Sequence, residues 1–136
     1  VPLIISGNIF TVKDALNALE ITKATAVMVA RGSLGNPELI SNINLALENK
    51  NYDESLVFEK QKKYCIDLAK KMIEEKGEIL GMRVYRSIAP KFFSGFKNSK
   101  DLRSKLASQM TSFKSMIDII ENFEKDNILI KRGNGL

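Results

Sequence analysis

The chain has 136 residues, of which 44% are hydrophobic and 27% charged, and its formal net charge is +5. It contains a single cysteine and no histidine, which excludes a zinc site built from the usual ligands and a Ser-His or Cys-His nucleophilic centre. No stretch approaches the roughly 20 apolar residues that a membrane-spanning helix needs, and no signal-peptide pattern is visible. We therefore expect a cytoplasmic protein with no metal and no membrane association.

Two short apolar runs rich in β-branched residues, 2–6 and 25–30, begin the chain. Runs of this length and composition are typical of strands buried on both faces. A helical pattern follows each run, and strands joined through helices favour a parallel sheet. Two such units cannot close a sheet, and the chain begins without methionine. We therefore expect residues 1–47 to be the end of a larger α/β domain.

Both helices of this first region carry start signals. Thr11 with Asp14 matches a capping box, and Asn36 with Pro37 supplies an N-cap and a first helical residue. The apolar residues expected to face the core are Ala15, Leu16, Leu19, Ile40, Ile43, Ala46 and Leu47.

Residues 48–54 are polar and predict a linker, after which the pattern is helical. A helix is expected over 55–76, with Gly77 at its C-terminal cap. The next helical pattern, over about 78–94, contains Pro90, which removes a backbone donor and should kink or split the helix.

Two further helices are predicted beyond this point. Ser99 should start the third helix and Thr111 should cap the fourth, which should run to about Lys125. Four amphipathic helices with short connections predict a small all-α bundle over 55–125. Residues 126–136 form a tail without a partner pattern.

Both predicted strands end in polar turns that contain glycine, Ser6-Gly7-Asn8 and Ala30-Arg31-Gly32. In a (β/α)₈ barrel the carboxyl ends of the strands form the active-site face, and the loops after the last two strands commonly hold a phosphate. Backbone N–H groups at such turns point at the anion, and a guanidinium adds a bidentate contact. The two matching turns therefore favour a phosphate site over ordinary connecting loops.

The segment 83–114 is strongly basic, because eight lysine and arginine residues face the single Asp101. Such a local excess is typical of a surface that binds a polyanion, and the alternative is a solvated helical face. Cys65 lies on the apolar stripe of 55–76 beside Tyr64, which predicts a buried structural thiol rather than a reactive one.

The segment SGNIFTVKDALNALEITKATAVMVARGSLGNPELI resembles the closing segment of the tRNA-dihydrouridine synthases. In that family one barrel strand ends in Asn-Gly-Asp and the next in a Met-x-Gly-Arg-Gly run that leads to Gly-Asn-Pro. The matching positions here are Ser6-Gly7-Asn8, 28–32 and 35–37. The resemblance continues more weakly to about residue 110, through 82–86, 92–95 and Leu102-Arg103.

The resemblance implies an oxidoreductase that reduces uridine in tRNA to 5,6-dihydrouridine, with FMN as cofactor and NADPH or NADH as reductant. It implies the end of an FMN-binding TIM barrel over 1–47 and a tRNA-binding helical bundle over 55–125. The family's general acid is a cysteine upstream of this segment, so no catalytic residue is expected here and the chain alone should be inactive. The residues implied to bind the FMN phosphate are Ser6, Gly7, Asn8, Ala30 and Arg31.

Three of these residues depart from the family pattern, since Ser6, Asn8 and Ala30 stand where Asn, Asp and Gly are usual. Contacts made by backbone N–H groups would tolerate all three changes.

The resemblance also gives the basic segment a partner, because arginine and lysine side chains bind tRNA phosphates without reading sequence. Arg83 and Arg86 are three residues apart and should share one helix face. Phe92, Phe93 and Phe96 are expected in the bundle core, with stacking on bases as the alternative. The residues expected to contact tRNA are Arg83, Arg86, Lys91, Lys97 and Arg103.

Two other interpretations stay open. One is a different FMN- or phosphate-binding barrel, of the enoate reductase or dihydroorotate dehydrogenase type, although such an enzyme has no need of a basic helical region. The other is a stand-alone nucleic-acid-binding helical module. Two strands with unpaired edges also predict self-association through 1–47.

Overall fold

The computed structural model describes residues 2–134, and the environment of side chains from residue 2 to residue 127. These residues form two compact units, of which the first ends at Val57 and the second begins at Phe58. The protein is mostly helical, with one small sheet in the first unit.

The first unit alternates strands and helices. Its elements are β1 (Ile4–Ser6), α1 (Val12–Thr22), β2 (Ala26–Met28), a 3₁₀ turn (Arg31–Ser33) and α2 (Glu38–Leu47). β1 and β2 pair in parallel, with Ile5 opposite Val27. The predicted parallel pairing is therefore confirmed, although both strands are shorter than their apolar runs.

The core of the first unit lies on one face of the sheet. Val27 packs against this core, whereas Ile4 and Met28, on the opposite face, are 65% and 55% exposed. The prediction of strands buried on both faces is wrong for the described residues, because no described element covers the face that carries Ile4 and Met28. The buried core residues are Ile9, Val12, Ala15, Leu39 and Ile43.

The start of α1 is confirmed in detail. The N–H of Asp14 donates to Oγ1 of Thr11 at 3.1 Å, and Oδ2 of Asp14 accepts from the N–H of Thr11 at 3.1 Å. These two bonds are the reciprocal pair of a capping box, so two backbone donors that the helix cannot satisfy find partners.

The start of α2 differs by one residue from the prediction. Pro37, not Asn36, occupies the N-cap position, and the carbonyl of Asn36 accepts from the N–H of Leu39 at 3.2 Å. Leu39 and Ile43, four residues apart, face the core, whereas five other expected core positions of this unit are not fully buried. Those five are Leu16, Leu19, Ile40, Ala46 and Leu47, of which Ala46 still packs against the core.

Residues 48–54, predicted to be a linker, are hydrogen-bonded to the first unit. Oε2 of Glu54 accepts from the N–H of Val12 at 3.1 Å, and the carbonyl of Asp53 accepts from Nδ2 of Asn42 at 3.0 Å. This polar segment therefore belongs to the first unit.

The described elements of the second unit, up to residue 134, are all helical. They are α3 (Phe58–Lys76), α4 (Glu78–Tyr85), a 3₁₀ turn (Ala89–Phe93), α5 (Lys100–Ser108) and α6 (Phe113–Asn134). Gly77 ends α3 as predicted, with φ of +79° and its N–H donating to the carbonyl of Ile73 at 2.8 Å. The expected split at Pro90 is also confirmed, because α4 ends at Tyr85 and Pro90 lies in the 3₁₀ turn.

The last helix differs from the prediction at both ends. Ser112, not Thr111, caps α6, since its Oγ accepts from the N–H of Ser115 at 3.1 Å and its own N–H donates to Oγ of Ser115 at 2.9 Å. The helix extends to Asn134 rather than ending near Lys125, because residues 126–132 include no proline or glycine. Residues 135–136 of the predicted tail lie outside the described residues.

The core of the second unit is aromatic. Phe92 and Phe93 are buried and Phe96 packs against them, so the core interpretation of this cluster is confirmed. The Phe58 ring lies 5.3 Å from that of Phe93 and 5.4 Å from that of Phe96. Ile79, near the start of α4, is 79% exposed. Within residues 2–134, none of the helices combines the length and the apolar character needed to cross a bilayer.

Candidate functional site

The loop after β1 has a backbone conformation that few residues adopt. Gly7 has φ of +129° and Asn8 has φ of +48°. A φ of +129° strongly favours glycine, and asparagine is among the residues that best tolerate the left-handed region. A Cβ placed on Gly7 would meet no atom within 4 Å. Backbone conformation rather than packing therefore requires this glycine, and the space above it is open.

The turn after β2 lies directly against this loop. Ser33 closes the turn on the carbonyl of Ala30, which accepts from its N–H at 3.2 Å and from its Oγ at 2.8 Å. Gly32 is buried in the middle of the turn, and a Cβ there would overlap the carbonyl oxygen of Ile9. This glycine is required by packing, unlike Gly7.

One cavity of about 150 Å³ lies between the loop and the turn. It is smaller than the roughly 300–1,000 Å³ of pockets that enclose a drug-sized ligand. The cavity therefore suits a phosphate-sized group, and the remainder of a larger ligand would extend beyond it. The five residues that the sequence assigned to phosphate all line the cavity: Ser6, Gly7, Asn8, Ala30 and Arg31. Four further residues complete the lining: Ile9, Phe10, Met28 and Gly32.

The charge of this cavity comes from a guanidinium. Among its described lining residues, Arg31 is the one with a formal charge, and its Nη2 donates to Oδ1 of Asn8 at 3.3 Å. The amide orients the guanidinium without neutralising it, so a positive charge remains at the cavity. That arrangement favours an anion with several acceptor oxygens.

Arg83 and Arg86 differ in exposure and in hydrogen bonding. Arg83 is exposed on α4, whereas Arg86 is partly buried and its Nε donates to the carbonyl of Met110 at 2.7 Å. The two arginines, expected on one helix face, therefore differ in environment, because Arg86 joins the end of α4 to the segment between α5 and α6.

The remaining three residues expected to contact tRNA are Lys91, Lys97 and Arg103. They lie on the 3₁₀ turn of 89–93, the following loop and α5, and this turn packs against α5. Lys91 and Lys97 are exposed, whereas Arg103 is partly buried and its Nε donates to Oγ of Ser99 at 3.3 Å. Arg83, Lys91 and Lys97 are thus the more accessible of the five predicted contacts.

Cys65 is fully buried at the contact of α3 and α4. The Tyr85 hydroxyl donates to the carbonyl of Cys65 at 2.7 Å and lies 3.5 Å from its Sγ. Burial raises the pKa of Cys65 to about 11, although the hydrogen bond from Tyr85 acts in the opposite direction. The thiol stays protonated near neutral pH, so the prediction of a structural cysteine is confirmed.

Sequence reasoning missed the packing role of Gly32. The residue was visible inside the Arg-Gly turn, but nothing local shows that Ile9 lies against it, because the two are far apart in the chain. Phe10 and Met28 were also missed as cavity-lining residues.

The chain is similar in sequence to a known protein family. A family model described as "Dihydrouridine synthase (Dus)" matches residues 1–127. A "Probable tRNA-dihydrouridine synthase" from Rickettsia bellii (strain RML369-C) is 31% identical over 103 residues, which cover 76% of this chain and 32% of the relative. The "tRNA-dihydrouridine synthase B" of Vibrio vulnificus (strain CMCP6) is 33% identical over 86 residues, or 63% of this chain and 27% of that protein.

The match therefore spans less than a third of the length of these relatives. Since the family model covers residues 1–127 of 136, the chain belongs to the dihydrouridine synthase family.

Proposed function

We propose that this chain supplies the FMN-phosphate cavity and the tRNA-binding helices of a flavin-dependent tRNA-dihydrouridine synthase. In this proposal, residues 1–47 end an FMN-binding TIM barrel, and the helices from Phe58 onward bind tRNA. The observation that carries the proposal is the cavity between the two loops, where five residues chosen from the sequence pattern meet around the Arg31 guanidinium.

The residues of the cavity fit a phosphate monoester. The open space over Gly7 allows an anion to approach the backbone N–H groups of the loop. Arg31 would hold the anion by charge, and the small residues Ser6 and Ala30 leave room beside it. FMN, when bound, supplies the reducing electrons for the uridine double bond and is itself reduced by NADPH or NADH.

This chain's part in the reaction is to bind and to orient. The cavity would anchor the cofactor, while the exposed Arg83, Lys91 and Lys97 would hold tRNA phosphates. Cys65, the chain's single cysteine, cannot serve as a proton donor to substrate, because it is buried. We therefore expect no uridine reduction by this chain alone.

FMN binding tests the cavity. The chain should quench flavin fluorescence on titration, and Arg31→Ala should weaken the affinity by about tenfold, which corresponds to roughly 1.4 kcal/mol. Arg83→Ala removes the same charge from the other unit and should leave FMN affinity unchanged. Equal affinity of the Arg31→Ala variant and the unmodified chain would contradict the assignment of the cavity.

Binding of unmodified tRNA tests the helical unit. The triple variant of Arg83, Lys91 and Lys97 to alanine should lower the slope of log K against log salt by about 2 to 3, since each phosphate contact contributes about 0.7–0.9. A matched control replaces the exposed Lys63, Lys70 and Lys71 of α3 with alanine.

Two outcomes separate the alternatives. Equal loss in both triple variants would show that net charge alone attracts RNA, against a defined tRNA surface. Binding of tRNA without any binding of FMN would favour the stand-alone nucleic-acid module over the synthase.

A further inference from the structure

Gly32 is the point at which the two cavity loops touch. A Cβ on this residue would overlap the carbonyl oxygen of Ile9, would stand 2.9 Å from the carbonyl carbon and would lie 3.1 Å from Cα of Phe10. All three atoms belong to the backbone, which cannot rotate aside as a flexible side chain can. Any larger residue would therefore force the turn after β2 away from the loop after β1.

A side-chain bond lies directly beside this backbone contact. Arg31 precedes Gly32, Asn8 precedes Ile9, and Nη2 of Arg31 donates to Oδ1 of Asn8 at 3.3 Å. The loop and the turn are thus joined at two adjacent points, one of backbone packing and one of side-chain hydrogen bonding. Both points lie at the cavity wall.

We propose that Gly32 is a positioning residue for the cavity. Its missing side chain lets the turn rest on Ile9, and this contact sets the distance from the Arg31 guanidinium to the N–H groups of Gly7 and Asn8. The nature of the ligand rests on the proposed function, whereas the loop contact does not.

The distance from the Arg31 guanidinium to the N–H groups of Gly7 and Asn8 is important because hydrogen bonds form only over a narrow range of lengths. Relief of the Cβ overlap requires the two backbones to separate by about 1 Å or more, whereas N–H···O bonds span a range of only about 0.5 Å. An anion held by Arg31 would then lose its contacts to the loop amides.

Gly32→Ala in the full chain tests the proposal. Two-dimensional ¹H–¹⁵N NMR should show displaced amide signals for Gly7 and Asn8 in the ligand-free protein. Titration with FMN, and separately with inorganic phosphate, should show at least tenfold weaker binding. Leu34→Ala is the matched control, because it shortens an exposed side chain just after the same turn, and its affinity should stay within twofold. Unmoved amide signals, or FMN affinity within twofold in the Gly32→Ala variant, would overturn the proposal.

Ligand binding tests the proposed function, whereas the amide signals of the ligand-free protein test the role of Gly32. If the unmodified chain binds neither FMN nor phosphate, the assigned ligand is wrong, yet the amide signals of Gly7 and Asn8 still decide the role of Gly32. Displaced signals in Gly32→Ala would support positioning, and unmoved signals would refute it.

A second variant covers the case in which Gly32→Ala does not fold. Asn8→Gly removes the side-chain bond to Arg31, while glycine readily adopts the φ of +48° at this position. If Gly32 sets the spacing, the amide signals of Phe10 and Ser33, which are not adjacent to the substitution, should stay in place and affinity should fall only a few-fold. Broad displacement of this loop in Asn8→Gly would show that the side-chain bond sets the spacing instead.

Discussion

The hydroxyl of Tyr85 donates to the backbone carbonyl of Cys65 at 2.7 Å and joins α4 to α3 inside the core. Both residues are fully buried. Burial raises the pKa of each side chain above its ordinary value, for Cys65 to about 11. The environment at this contact between the two helices therefore favours the protonated form of both side chains.

This contact predicts a loss of stability at alkaline pH. The pKa of Cys65 is higher in the folded chain than in the unfolded one, so its contribution is complete below about pH 9 and is lost as pH rises towards 11. The largest loss from this residue is about 2 to 3 kcal/mol, and the raised pKa of Tyr85 acts in the same direction at higher pH. The free energy of unfolding in urea, measured from pH 8 to pH 10.5, should fall along this curve.

Cys65→Ala provides the control for that curve. It should lower stability at pH 8 through lost packing, yet the decline from pH 9 upward should be shallower because the titrating thiol is gone. The same decline in both proteins would show that Cys65 is not responsible.

Gly81 allows α4 to approach α3 closely, and its replacement should destabilise the second unit. A Cβ on Gly81 would lie 2.7 Å from the carbonyl oxygen of Met72, and backbone overlap of this kind costs about 1–3 kcal/mol. Gly81→Ala should lower the free energy of unfolding despite the higher helix propensity of alanine. Val84→Ala, a half-exposed position on the same helix, should cost less than about 1 kcal/mol. Equal stability of the Gly81→Ala variant and the unmodified chain would mean that the helices can separate without cost.

Arg86 should prove more important for stability than for RNA binding. Arg86→Ala leaves the carbonyl of Met110 without its 2.7 Å partner, at a cost of about 1–3 kcal/mol. Arg86→Lys keeps the charge but not the Nε donor, so it should also destabilise the chain while it preserves tRNA affinity. Arg83→Ala, on the exposed surface, should change stability by less than about 0.5 kcal/mol and weaken tRNA binding. Urea unfolding and fluorescence anisotropy on the same variants separate the two effects.

The uncovered sheet face should promote self-association. Ile4 and Met28 on this face are 65% and 55% exposed, and a strand edge with unpaired backbone groups is a template for another copy of the chain. Ile4→Lys should reduce the apparent mass measured by light scattering at high protein concentration. Ile21→Lys alters an 82% exposed residue on α1, away from the sheet, and should leave the mass unchanged. A monomer in the unmodified chain would refute association through this region.

Local chemistry explains which features were predictable from the sequence. The capping box of Thr11 and Asp14, the end of α3 at Gly77 with its positive φ, and the break at Pro90 depend on residues within a few positions of one another. The same holds for the polar turns after β1 and β2, whose glycine and arginine content indicated an anion site. Periodicity also indicated the burial of Cys65 and of the phenylalanine cluster, because their neighbours at helical spacing are apolar.

Tertiary packing decided the remainder. Gly32 rests on Ile9, Gly81 rests on Met72 and Arg86 binds the carbonyl of Met110, and each pair joins segments that are separated along the chain. The continuous apolar runs of β1 and β2 indicate two covered faces, but no described element packs on the face of Ile4, so its exposure could not be foreseen. The sequence by itself determined the order of the elements, the capping residues Thr11 and Gly77, and the polar, glycine-containing character of the turns after β1 and β2. Only the tertiary structure decided which glycines allow two backbones to pack closely and which arginine donates to a backbone carbonyl. These roles depend on contacts between segments that are distant in the chain.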